Sequence, residues 1–86
     1  MTATYVGCKY MAWEIDGKKG TFTDVYVVKP FHRSEENVVG DKAVAERVRG
    51  VDLRKELKDI APGSPVNLVY DSGPNGKALL VEIVPV

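Results

Sequence analysis

A single cysteine, a single histidine and no surplus of either charge deprive this 86-residue chain of most devices small proteins use for chemistry. Cys8 has no partner for an internal disulfide and lies in an apolar run, so it reads as a buried, reduced thiol in a reducing compartment. With one histidine and no CxxC or HExxH spacing, no metal site is expected, and no cofactor. His32 stands beside Arg33 with no nucleophile in view, and reads as an exposed loop histidine. Gly73-Pro74-Asn75-Gly76 is a tight turn rather than a phosphate cradle, because no helix follows it. These absences argue against an enzyme.

Charge is equally spare. Twelve Lys and Arg balance twelve Asp and Glu, which argues against coating nucleic acid by bulk positive charge, whose usual footprint is a pI above ~9. A local basic track remains open, because counterion release depends on the residues at the contact. No apolar run approaches the ~20 residues needed to cross a bilayer. The N-terminus shows no charged region followed by an apolar stretch, so no secretion signal is expected. A cytoplasmic protein without a membrane partner is the expectation.

What the chain does have is β-forming sequence interrupted once. Thr4 to Ile15 is apolar on both parities: Val6, Cys8, Tyr10 and Ala12 on one, Tyr5, Met11 and Trp13 with Lys9 on the other. A first strand that coils and pairs along both halves would look this way, and Gly7 offers a place for a bulge. Asp16 to Gly20 reads as a hairpin turn, with Asp-Gly its strongest element. Thr21 to Lys29 is the most β-rich stretch, and Pro30 ends it. Phe31 to Gly40 is a polar surface loop. Lys42 to Arg49 fits either a helix capped by Asp41 or a third strand; the strand is preferred, although its parity would turn Glu46 inward. Asp52 to Ile60 reads as a short amphipathic helix, with Asp52 as cap and Leu53, Leu57, Ile60 and Ala61 as its stripe. Val66 to Tyr70 and Ala78 to Ile83 then close a hairpin. There, Val66, Leu68 and Tyr70 alternate against Asn67 and Asp71, and Leu79, Val81 and Ile83 against Leu80 and Glu82.

This order predicts one mainly β domain over residues 1–86: a five-stranded OB-fold-like barrel with one short helix between strands 3 and 4, a fold whose outer face commonly holds oligonucleotides. Single-strand binding needs cations that follow phosphates and flat rings on which bases stack. Asp24, mid-strand, sets Phe22 and Tyr26 outward and Thr23, Val25 and Val27 inward. Lys9 likewise sets Met11 and Trp13 outward. Arg47 and Arg49 share a parity, Lys18 and Lys19 crown the first hairpin, and Lys29 and Arg33 flank Pro30-Phe31-His32. The candidate set is therefore Lys9, Trp13, Lys18, Lys19, Phe22, Tyr26, Lys29, Phe31, Arg33, Arg47 and Arg49.

With these elements in place, the chain resembles the small OB-fold single-stranded DNA-binding proteins of phages and other mobile elements. The likeness rests on Gly20-Thr21-Phe22-Thr23-Asp24-Val25-Tyr26-Val27-Val28-Lys29-Pro30-Phe31, on the helix entering a Pro-Gly-x-x-Val turn, and on the length of the closing hairpin. The resemblance implies a sequence-tolerant binder of exposed single strands, DNA in preference to RNA, during replication or transfer, assembled as a homodimer or higher oligomer. The chain ends in Val84-Pro85-Val86 instead of an acidic, Gly-rich tail, so tail-mediated recruitment is not expected. The other reading of the same face is a protein-interaction or oligomerisation module.

Overall fold

Thr23, Val25 and Val27 alternate with Phe22, Asp24 and Tyr26, and a strand built on that alternation buries one set and wets the other. The computed structural model, which describes residues 2–73, 76 and 78–86, has this strand inside its sheet, paired on both sides. Thr23, Val25 and Val27 are inaccessible to solvent. Five antiparallel strands form one sheet: β1 (Thr2–Ile15), β2 (Lys18–Pro30), β3 (Asp41–Arg49), β4 (Pro65–Ser72) and β5 (Ala78–Pro85), with helix α1 (Arg54–Leu57) between β3 and β4. Their spatial order is β3-β2-β1-β4-β5. Residues 42–49 are thus strand, not helix.

The first strand pairs on both sides, with β2 over Thr4 to Ile15 and with β4 over Thr2 to Thr4. A flat sheet in this order would hold its edge strands about 19 Å apart, four steps of ~4.8 Å. Instead β3 and β5 come within 8 Å between Cα atoms, so the sheet coils. A cavity of about 210 Å³ lies at this seam, floored by Val48, Leu53, Leu57, Leu80 and Ile83. Among the described residues no backbone ladder joins β3 to β5. The sheet is coiled but not closed.

Two bulges revise the expected side-chain phases. Tyr5 pairs with Val27 and Gly7 with Tyr26, which leaves Val6 as the extra residue. Tyr5 is therefore buried and Val6 exposed, the reverse of a regular strand. Near the other end, Val69 pairs with Glu82 and Tyr70 with Leu80, so Val81 is the extra residue. Leu80 is buried in consequence, while Leu79 and Val81 face solvent. The helix is shorter than the Asp52–Ile60 segment expected. Leu57 and Lys58 make i→i−4 bonds, but Ile60 N–H donates to Leu57 O, a tighter turn that ends the helix. Asp52 accepts from the Arg54 N–H at 3.0 Å and binds its guanidinium, one position outside the cap. Leu57 remains buried, with Leu53 and Ile60 packed on the same core.

The first turn is as tight as its sequence permits. Asp16 and Gly17 both take positive φ, 51° and 79°, the two-residue loop that matches strand twist. Pro74 and Asn75 of the expected closing turn lie outside the described residues. No described helix is long and apolar enough to cross a membrane.

Burial of Tyr5 has a measurable consequence. Desolvation, reinforced by a hydrogen bond with Cys8, pushes its phenol from 10.0 up to about 12. Below pH 10 both folded and unfolded chains hold that proton, and the group is neutral to stability. Between pH 10 and 12 the unfolded chain loses it first, so stability should fall by about 1.4 kcal/mol per pH unit, roughly 3 kcal/mol in all. Tyr5→Phe is expected to flatten this alkaline decline in urea midpoints measured from pH 9 to 12. A smaller decline should persist from Tyr70, raised by burial and by the Glu46 carboxylate, and from Lys29. An equally steep curve in the variant would contradict the assignment.

Candidate nucleic-acid interface

The outward parities of β1, β2 and β3 are set by their registers, and these place charged and aromatic side chains in rows across the sheet. Lys9 pairs with Asp24 and Asp24 with Arg47; Met11 pairs with Phe22 and Phe22 with Arg49. Gly7, Tyr26 and Ala45 form the next row, and Trp13 faces Gly20. None of the outward residues in these rows is buried. Trp13 is 42% exposed and Tyr26 is 39% exposed. The Trp13 indole lies over Gly20, so close that a Cβ at that position would collide with the ring. Glycine here lets the indole lie along the sheet instead of standing away from it.

Phe22 is covered. The Arg47 guanidinium sits 3.9 Å from its ring centroid and also donates to both carboxylate oxygens of Asp24, at 2.9 and 3.2 Å. That fork geometry holds the guanidinium flat on the ring. Hydrogen bonding from Arg47 holds the Asp24 carboxyl below the usual carboxylate range. Arg47 is thus a neutralised, stacked plane more than a free cation. Lys9 and Arg49 are exposed on the same face, and neither forms an ion pair among the described residues. Lys18, opposite Ile15, shares the Trp13 parity at the hairpin tip.

The remaining candidates fall elsewhere. Lys19 pairs with Glu14 on the opposite parity from Trp13. Lys29 follows Thr23, Val25 and Val27 on the inward parity and reaches Glu46 Oε1 at 3.0 Å. Burial opposes its charge, yet Glu46 and Tyr70 together hold the ammonium above the usual lysine range. Tyr70 donates to the same Glu46 oxygen at 3.1 Å, across from β4 to β3. The inward Glu46 that made the third strand awkward is satisfied in this way. Phe31 and Arg33 lie beyond the end of β2, beside a groove of about 550 Å³ that Lys29 and Lys42 also line. The eleven candidates therefore divide: Lys9, Trp13, Lys18, Phe22, Tyr26, Arg47 and Arg49 share the outer face, while Lys19, Lys29, Phe31 and Arg33 do not.

One outer-face residue was missed by pattern reading. Gly20 supports Trp13, and its place directly before Thr21-Phe22 was the available signal. Comparison of the chain with protein-family models, curated proteins and solved structures finds no match.

Proposed function

We propose that this chain is a non-enzymatic, sequence-tolerant binder of single-stranded nucleic acid, DNA in preference to RNA, working from the outer face of a partly open OB-fold-like barrel. The observation that carries this is the pairing of two accessible rings, Trp13 and Tyr26, with Lys9, Lys18 and Arg49 on one sheet face. Rings buried for stability alone would have no need of such exposure, and bases stack on aromatic faces regardless of sequence. The coiled β3-β2-β1-β4-β5 order supports the barrel, which Tyr70 and Glu46 bridge from within. Assembly as a homodimer or higher oligomer in the cytoplasm, serving replication or transfer of DNA, belongs to the same reading.

Trp13 is the chain's one tryptophan and reports directly. Titration with oligothymidylate is expected to quench its emission, and duplex DNA to do so less. With three cations on phosphates, log K should fall against log salt with a slope of about −2. Absence of quenching at low salt and micromolar protein sinks the proposal. A second reading, a protein-docking face, is favoured by the apolar patch of Val6, Tyr26, Val28, Ala43 and Ala45 beside the same rows. It would give a salt-insensitive oligomer in place of the quench.

A further inference from the structure

We propose that the groove beyond the end of β2 is a separate binding site for a nucleoside phosphate, taken either as a free nucleotide or as the phosphorylated terminus of a strand. It rests on none of the residues of the outer face. Its apolar wall is Pro30 and the half-buried Phe31, and around that wall stand His32, Arg33, Lys42 and Glu35. At about 550 Å³ it is within the ~300–1,000 Å³ range of small-molecule sites.

The loop holding these groups is fixed by its own hydrogen bonds. His32 N–H donates to Glu35 Oε2 at 2.8 Å, and Glu35 N–H returns to His32 O at 2.9 Å. Ser34 N–H donates to His32 Nδ1 at 3.1 Å. Ser34 Oγ lies on the same nitrogen at 2.6 Å, so Nε2 is the ring nitrogen the loop leaves for a ligand. Arg33 forms no ion pair among the described residues. Lys42 meets Glu35 at 3.5 Å in an exposed pair, a weak kind of contact readily exchanged for a phosphate oxygen. Glu35 is the negative charge in the groove, held by the His32 amide when Lys42 turns to the phosphate. A planar guanidinium, a lysine and an imidazole around a ring match a phosphate joined to a base.

The test is an amide-resolved NMR titration of the whole chain with thymidine monophosphate, thymidine, inorganic phosphate, and short oligothymidylate with and without a 5′-phosphate. Thymidine monophosphate, or the phosphorylated terminus alone, should shift amides of residues 29–42. Thymidine and phosphate should each bind about tenfold more weakly or worse. The first of these outcomes assigns the site to free nucleotides, the second to strand ends. Arg33→Ala, at an exposed position, should lose about tenfold in affinity while leaving the rest of the spectrum in place. Phe31→Ala should lose a similar factor. Gly20, beneath Trp13, is ten residues along β2 from Pro30, about 33 Å of strand, so Trp13 emission should stay unchanged on adding nucleotide. Shifts at residues 29–42 without Trp13 quenching by oligothymidylate would leave this site standing and remove the outer-face reading. No shift there from either source, or equal affinity for phosphate alone, overturns the proposal.

Discussion

Thr23→Val should lower stability by about 2 kcal/mol, enough to drop the melting temperature of a domain this size by roughly 10 °C. The two side chains are nearly the same shape, and Thr23 is wholly buried, so packing alone predicts little change. Hydrogen bonding decides otherwise. The Thr23 hydroxyl donates to Val51 O at 2.9 Å and accepts from Leu53 N–H at 3.1 Å. One side chain thereby fastens the β3–α1 connector to the floor of the sheet. Valine would leave both backbone groups without a partner, at a cost of ~1–3 kcal/mol for a buried one, reduced at Val51 because that residue is part-exposed. Thr23→Ser keeps the hydroxyl and gives up one methyl, about 1 kcal/mol. Denaturant midpoints for the two variants should therefore rank serine above valine. The reverse order would show that the connector is not held through this hydroxyl. The loss should also loosen Leu57, because α1 begins one residue after Leu53.

Thr23 also marks the division between what sequence could and could not reveal. Its inward parity was readable from the alternation around Asp24. Its two bonds were not, because the partners lie 28 and 30 residues away. The Asp16-Gly17 turn was readable for a local reason: two consecutive positive φ values nearly demand that dipeptide. Bulges follow the opposite logic. One extra residue reverses every later position, and Val6 and Val81 are indistinguishable in type from valines that stay in phase. Hence regular alternation from Lys9 and from Ile83 puts Tyr5 and Leu80 on the wrong side, although Gly7 marks the neighbourhood of the first bulge. Strand β3 was identified through the need to complete the sheet, while its inward Glu46 found partners on β2 and β4 that no local pattern exposes. For the interface, parity sufficed wherever a charged residue fixed the phase, at Lys9 and Asp24. Lys29 was chosen for flanking Pro30-Phe31-His32, whereas its odd position in β2 already marked it as inward, where it meets Glu46.

The double variant Trp13→Ala/Tyr26→Ala is expected to weaken oligothymidylate binding by about 100-fold, with each single change costing about tenfold. The factors should multiply because the sites are independent. From Gly20, beneath Trp13, to Tyr26 is six residues of β2, about 20 Å, beyond the ~7–10 Å over which neighbouring substitutions couple. Neither ring carries charge, so the slope of log K against log salt should be unchanged in all three variants. Lys9→Ala and Arg49→Ala should behave in the opposite way, each reducing that slope by about 0.7 for a single strand. Arg47→Ala separates the two kinds of effect. Its charge is already balanced by Asp24, so the slope should scarcely move, while removal of the guanidinium uncovers the Phe22 ring for a further base. Because Trp13 is the usual optical reporter, its variants are followed by anisotropy of a labelled oligonucleotide. A double variant that binds like the parent, with the salt response intact, would mean that cations alone hold the strand and that the rings serve another surface.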